Sequence, residues 1–379
     1  MTETFDAVLI GAGHNGLACA LHLAAKGWRV GVFERASEPG GAVKSGEYTL
    51  PGFRHDWAAM NLSLFAGSPF FKDYSEELIR HGLEFVAVDR PFASSFPGGH
   101  WLGLGMDAAA NRARIAAESP ADADTWDRLS AGFGDRAQDV FALLGAPMKM
   151  RALAYFLWGV WRRRGLGGSL DLARFLAQSP RAWLEETFES PRLRAMLGAW
   201  GMHLDYAPDI AGGALFPYLE GMAGQAFGMA LGKGGADTLT RALVGAIEAR
   251  GGVVECGAEV ARIDHAGGKA SGITLVDGRR ILAARAVIGS LAPSALVRLT
   301  GGTGDVGFDR SMGDFAHAPG TMMLHLAMDG LPDWAAGEDL KRFAYVHLAP
   351  SLDQMARTYQ QARACLLPDE PIIVCGQPT

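Results

Sequence analysis

Cysteine is scarce: Cys19, Cys256, Cys365 and Cys375 are spread over 379 residues without a Cys-x-x-Cys pair. That removes a zinc ribbon and a redox-disulfide motif from consideration and fits a reducing compartment. Basic charge is also short, with 35 Lys and Arg against 41 Asp and Glu and a formal net charge of -6. A chain without a clustered basic excess is not built to hold a phosphate backbone, so no nucleic-acid partner is expected. There is no run of 18 apolar residues and no basic leader before the first apolar run. Neither a membrane span nor a signal peptide is expected, and the expected location is cytoplasmic. None of the ten histidines makes a metal-like pair with another His, Cys or acid in a recognisable motif, so no metal is expected.

What the chain does have is a globular balance, 49% hydrophobic and 20% charged, with 50 glycines. Its length suits two domains, one of them assembled from distant segments. Asp6-Ala7-Val8-Leu9-Ile10 reads as a buried parallel strand and runs into Gly11-Ala12-Gly13-His14-Asn15-Gly16, the G-x-G-x-x-G spacing. The region from Leu17 to Lys26 reads as a helix stopped by Gly27, and Arg29 to Phe33 as a second strand closed by Glu34. Gly11 permits the tight turn, Gly13 lets a pyrophosphate reach the backbone, and Gly16 lets helix and strand pack closely. The helix N-terminus faces the phosphates, and Glu34 accepts hydrogen bonds from ribose hydroxyls while repelling a 2'-phosphate. A second glycine pair, Gly40-Gly41, follows Glu34-Arg35 and brings another backbone segment against an extended cofactor, which favours FAD over NAD.

The run Val8-Leu9-Ile10-Gly11-Ala12-Gly13-His14-Asn15-Gly16-Leu17, followed by Glu34-Arg35 and Gly40-Gly41-Ala42, resembles the phytoene dehydrogenase-like flavoproteins, relatives of the amine oxidases. The resemblance implies an α/β fold, a Rossmann-like FAD-binding domain over 1–66 and 226–300 with an α+β substrate domain over 67–225 and 301–379. It carries cofactor contacts onto Gly11, Ala12, Gly13, His14, Asn15, Gly16, Glu34, Arg35, Gly40, Gly41 and Ala42, and places the backbone of Val260 beside the adenine. Family members continue past the position of Gly376, which implies that a final flavin-domain segment is absent here. Pro51 to Asp56 is similar to the segment that leads toward the flavin ring, although Trp57 to Met60 departs from the glycine-proline often found there. His55 and Asp56 are the polar residues nearest that place, and a structural role is the expectation for both.

The helix expected from Leu239, Leu243 and Ile247 on one face precedes Val253–Glu255, Ala258–Ile263, Gly272–Leu275 and Ile281–Ala283, read as a small antiparallel layer with Asp277-Gly278 as a hairpin turn. Helical periodicity over roughly 108 to 204 predicts a cap, while Thr321–Met328, Phe343–Leu348 and Ile372–Cys375 predict strands of a substrate-domain sheet. Met222, Met229, Met322 and Met323 are either core filling or the lining of an apolar pocket. Tyr155 to Arg164 joins aromatics to a basic cluster; it reads either as a core helix ending in cations or as a segment at a membrane surface.

A flavin accepts hydride itself, so no catalytic triad is required, and no catalytic residue is assigned. The expected activity is FAD-linked dehydrogenation or desaturation of a hydrophobic, isoprenoid-class small molecule, a substrate class that rests on the resemblance. An amine oxidase-type enzyme and a non-catalytic flavoprotein relative acting in partner or membrane binding are the alternatives.

Overall fold

The computed structural model of the chain describes residues 3–147 and 149–377. The chain divides into two compact units, 1–87 with 230–317 and 322–327, and 88–229 with 318–321 and 328–379.

In the first unit a six-stranded sheet runs in the order Val260–Ala266, Lys269–Leu275, Arg280–Gly289, Glu3–Ile10, Val30–Phe33, Val253–Glu255. The first three strands pair antiparallel and the last four parallel. The opening strand is apolar on both faces because both are covered. Ala7 and Leu9 pack with Leu17, Ala20, Leu21 and Ala24 of the helix His14–Ala25 and with Leu239, Leu243 and Ile247 of the helix Thr238–Ala249. On the other side Phe5, Val8 and Ile10 join Phe33, Val260, Ile263 and Ile273.

Three readings of this unit are corrected. Val253–Glu255 does not belong to the antiparallel layer; it pairs parallel with Val30–Phe33 at the opposite edge. The first boundary lies at 87 and not at 66, because the helix Pro69–Arg80 buries Leu78 in the same core as Leu239 and Leu243. Residues 301–317 stay with this unit, where the helix Val306–Gly313 packs on Pro293–Thr300.

The second unit holds a four-stranded sheet in the order Ile373–Gly376, Tyr345–Leu348, Phe92–Phe96, His100–Leu104, parallel only at its centre. Helices fill 108–202, and several begin on the same local device. In Ser119-Pro120, Ser179-Pro180 and Ser190-Pro191 the serine Oγ accepts from the backbone N–H three residues on, at 3.2 Å in each case, and proline presets φ for the first turn. The buried Asp122 carboxylate ties two of these helices together by accepting from the backbone N–H groups of Glu189 and Ser190, both at 2.7 Å.

The strand expected over Thr321–Met328 is irregular chain, since the segment finds no neighbouring strand among the described residues. Its Met322 and Met323 are exposed, whereas Met222 and Met229 are buried core.

Candidate functional site

The opening strand ends at Ile10, and the chain must turn at once to start a helix beneath it. Gly11 makes that turn at φ +95°, where a Cβ would also stand 2.9 Å from the carbonyl oxygen of Ser290. A Cβ on Gly16 would meet the carbonyl oxygen of Gly11 at 2.5 Å, so Gly16 sets how closely helix and turn approach. Gly13 differs from both: it sits at φ -67°, ψ 159°, a conformation open to any residue, and apart from the adjoining chain no atom lies within 4 Å of its Cβ position. The helix it begins has no side-chain cap and no acid in its first turn. Its orphan N–H groups and partial positive charge therefore face open space that an anion can fill.

Glu34 is fixed from two directions, accepting from the backbone N–H of Ala12 at 2.8 Å and of Ala36 at 2.9 Å, one bond to each carboxylate oxygen. A carboxylate has about four acceptor sites, so about two remain for ribose hydroxyls. Gly40 joins the cradle through its N–H to the Ala12 carbonyl at 2.8 Å and a bridge to Gly13, and Gly41 lies against the Gly13 backbone. The structure thus brings Gly11, Ala12, Gly13, Gly16, Glu34, Gly40 and Gly41 into one place. His14 opens the helix at this place, and burial lowers its imidazole below the ordinary value. Asn15, Arg35 and Ala42 are exposed at the rim. Gly257 and Ala258 donate to the carbonyls of Ala36 and Glu34, and Val260 follows with its side chain in the core, which leaves its backbone as the only part available to a cofactor.

The sequence reading expected a structural role for Asp56 but missed the residues that brace this cradle with it. Ser290, after the strand Arg280–Gly289, donates its N–H to the Ile10 carbonyl and packs its side chain by Gly16. Ser45 Oγ donates to Asp56 Oδ1 at 2.5 Å, and the same oxygen accepts from the N–H of Ala236 at 2.7 Å. Asp237 donates its N–H to Ser45 Oγ and pairs with Arg54 at 2.5 Å. Asp56 is therefore a latch that fastens the segment after Gly40-Gly41 to the loop before the helix Thr238–Ala249. His55 is occupied with Thr49 at 2.7 Å and lies beside His325, in an aromatic group with Tyr48 and Trp57.

Residues 16–335 match the family of flavin-containing amine oxidoreductases. The chain belongs to this family, and its cofactor is FAD. Pyridine nucleotide-disulfide oxidoreductase domain-containing protein 2 of Mus musculus is 29% identical over 315 residues, 76% of this chain and 53% of its own length. Phytoene dehydrogenase of Streptomyces griseus is 28% identical over 342 residues, 85% of this chain and 60% of its own. The chain thus spans between about half and three fifths of these relatives. Among solved structures, an oxidoreductase from Methanosarcina mazei superposes with a TM-score of 0.53 at 20% identity, covering 81% of this chain and 65% of that one. Putrescine oxidase bound to putrescine gives 0.52 at 18%, covering 79% and 61%. At these identities the two structures establish the fold alone.

The residues fit the ADP half of FAD: the space at Gly13 admits the pyrophosphate, the uncapped helix meets its charge, and Glu34 meets the ribose. Glu34→Gln keeps one acceptor but turns an NH2 toward a backbone N–H. It is expected to raise the dissociation constant for FAD about 10- to 100-fold in a fluorescence titration, about 1.4–2.8 kcal/mol.

The second unit carries a polar group of its own. His203 Nε2 and His347 Nε2 are 2.9 Å apart, His203 stacks on Trp200, and His347 lies beside Ser94 in the strand register. Ser94 Oγ, Trp200 Nε1 and His347 Nδ1 are buried with no hydrogen-bond partner among the described residues. His203 is exposed at its surface while Trp200 stacks on its ring and His347 meets its Nε2, and desolvation lowers it to about 4. Burial, with His203 alongside and the Ala93 backbone opposing, holds His347 well below the usual imidazole value. A folded-state pKa below 6.5 means that the neutral ring is the stable form. For the buried His347 this contribution is complete above pH 6.5 and is lost as pH falls from there. Glu220 runs the other way, because burial raises it to about 7 and its neutral form gains as pH falls below that value. Unfolding free energy measured from pH 7 to 5 should therefore fall more steeply for the native chain than for His347→Gln.

Proposed function

We propose that this chain supplies the FAD-binding and substrate-binding parts of a dehydrogenase or desaturase that takes hydride from carbon of a hydrophobic, isoprenoid-class substrate. The observation that carries the redox assignment is the open cradle at Gly13 closed by Glu34. The substrate class is supported by relatives named as a phytoene dehydrogenase, a phytoene desaturase and one of the subunits of a limonene dehydrogenase. Bound flavin supplies the hydride acceptor. The chain's own residues anchor the ADP half, and Ser45, Asp56 and Asp237 brace the segment that follows it. Loss of hydride from one carbon in a desaturation is matched by loss of a proton from its neighbour.

The test is anaerobic bleaching of the flavin absorbance of the full-length, FAD-loaded protein by phytoene or limonene in detergent, with putrescine in parallel. Bleaching by the hydrocarbons supports the proposal. Bleaching by the amine alone assigns an amine oxidase, and a flavin that none of the three compounds reduces overturns the proposed substrate class.

A further inference from the structure

The helix Met150–Ala177 is turned the wrong way for a core element. It is kinked at Gly165, where φ is +67° and ψ -173°, so its first part runs from Met150 to Arg164. In that part Ala152, Phe156 and Val160, four residues apart, form the inward face, with Val160 buried. Arg163 and Arg164 also turn inward, to the carboxylate of the buried Asp139 on the helix Phe133–Leu144. Met150, Ala154, Leu157, Trp158 and Trp161, at i, i+4, i+7, i+8 and i+11, make one continuous stripe, and that stripe is the exposed one. Met150 is 82% exposed, Leu157 57%, Trp158 56% and Trp161 47%. The two indoles lie against each other, centroids 4.9 Å apart, so the stripe presents a joined aromatic surface.

Its charge is equally one-sided. From 140 to 170 the sequence has five Lys and Arg and no Asp or Glu, in a chain whose net charge is -6. With Arg163 and Arg164 engaged by Asp139, Arg151 and Arg162 are exposed at the border of the stripe without an ion-pair partner among the described residues. Behind the helix a groove of about 450 Å³ is lined by Ala142, Ala146, Ala152, Tyr155, Phe156 and Gly159. No helix among the described residues is long and apolar enough to cross a membrane.

We propose that the outward face of Met150–Arg164 is a docking surface for an anionic lipid bilayer, on which the helix lies in the interface plane. Trp158, Trp161 and Leu157 enter the acyl boundary while Arg151 and Arg162 meet the lipid phosphates. Apolar residues on the wet face, a tryptophan pair and flanking arginines are the composition that partitions to such an interface. The arginines select anionic over zwitterionic headgroups. This surface lies outside the cofactor cradle and does not depend on the activity proposed above.

The experiment is co-sedimentation of the full chain with vesicles of pure phosphatidylcholine and with vesicles containing 30 mol% phosphatidylglycerol, together with indole emission and quenching by brominated lipid. Binding to the anionic vesicles is expected, weakened at high salt. It should fall about fivefold for each of Arg151→Gln and Arg162→Gln, and to background for Trp158→Ser with Trp161→Ser. Because both indoles are exposed, these variants should melt as the native chain does, so lost binding reads the surface and not the fold. No binding to anionic vesicles, binding that the variants leave unchanged, or a stripe covered by a second copy of the chain in size-exclusion light scattering would each overturn the proposal.

Discussion

Replacing Gly13 with alanine is expected to weaken FAD binding about 100-fold or more, about 2.7 kcal/mol, while the flavin-free protein keeps its fold. The two halves of this expectation come from one geometry. At φ -67°, ψ 159° alanine is unstrained, and the new methyl group enters a space in which, apart from the adjoining chain, no protein atom lies within 4 Å. Stability changes only by the difference between glycine and alanine as an N-cap, about 1 kcal/mol or less. The pyrophosphate must enter the same space to reach the helix N–H groups, and the methyl holds it away. Gly16→Ala is the contrasting variant. Its Cβ would stand 2.5 Å from the Gly11 carbonyl oxygen and 3.0 Å from Ser290 Cβ, so it should damage the turn and lower the melting temperature of the flavin-free chain. Equal behaviour of the two variants would mean that the cradle is not where the cofactor sits.

Asp56→Ala is expected to cost about 2–4 kcal/mol of unfolding free energy in the flavin-free chain. Two buried donors lose their acceptor at once, Ser45 Oγ–H and the N–H of Ala236, and both residues are enclosed in the native structure. An unpaired buried donor costs about 1–3 kcal/mol, and the two effects compound because Ser45 also holds the N–H of Asp237. Asp56→Asn should recover about half by keeping one carbonyl acceptor. FAD affinity should fall with stability in both variants, since the latch secures the chain that follows Gly40-Gly41. Full stability with selectively lost turnover would instead make Asp56 a catalytic residue.

The cofactor end of the molecule was legible because its logic is local. Between Ile10 and Glu34 each glycine, the helix and the terminal acid act on neighbours within a few turns of chain, and periodicity reads them directly. The partners that make Asp56 a latch were invisible for the opposite reason. Asp56 meets Ala236 across 180 residues, and no pattern around either residue announces the partner. The boundary near 66 failed in the same way. The helix Pro69–Arg80 has the pattern of any amphipathic helix, and only the burial of Leu78 with Leu239 and Leu243 assigns it to the flavin unit. Alternation at Met322, Leu324, Leu326 and Met328 reads as a strand, but a strand exists only beside another, and here the segment has none among the described residues. In Tyr155 to Arg164 the composition was plain while the direction of the apolar face was not; the buried Val160 and exposed Trp161 decide it.

Isothermal titration of the purified flavin-free chain with FAD, ADP and adenosine 2',5'-diphosphate tests the central claim most directly, because the cradle of Gly13 and Glu34 is built from residues of one unit. FAD and ADP should bind at one site and compete, the 2'-phosphate compound should bind at least tenfold more weakly for its repulsion by Glu34, and Gly13→Ala should abolish the heat of all three. Silence from both FAD and ADP, or equal binding of the 2'-phosphate compound, would contradict the assignment of this turn to FAD.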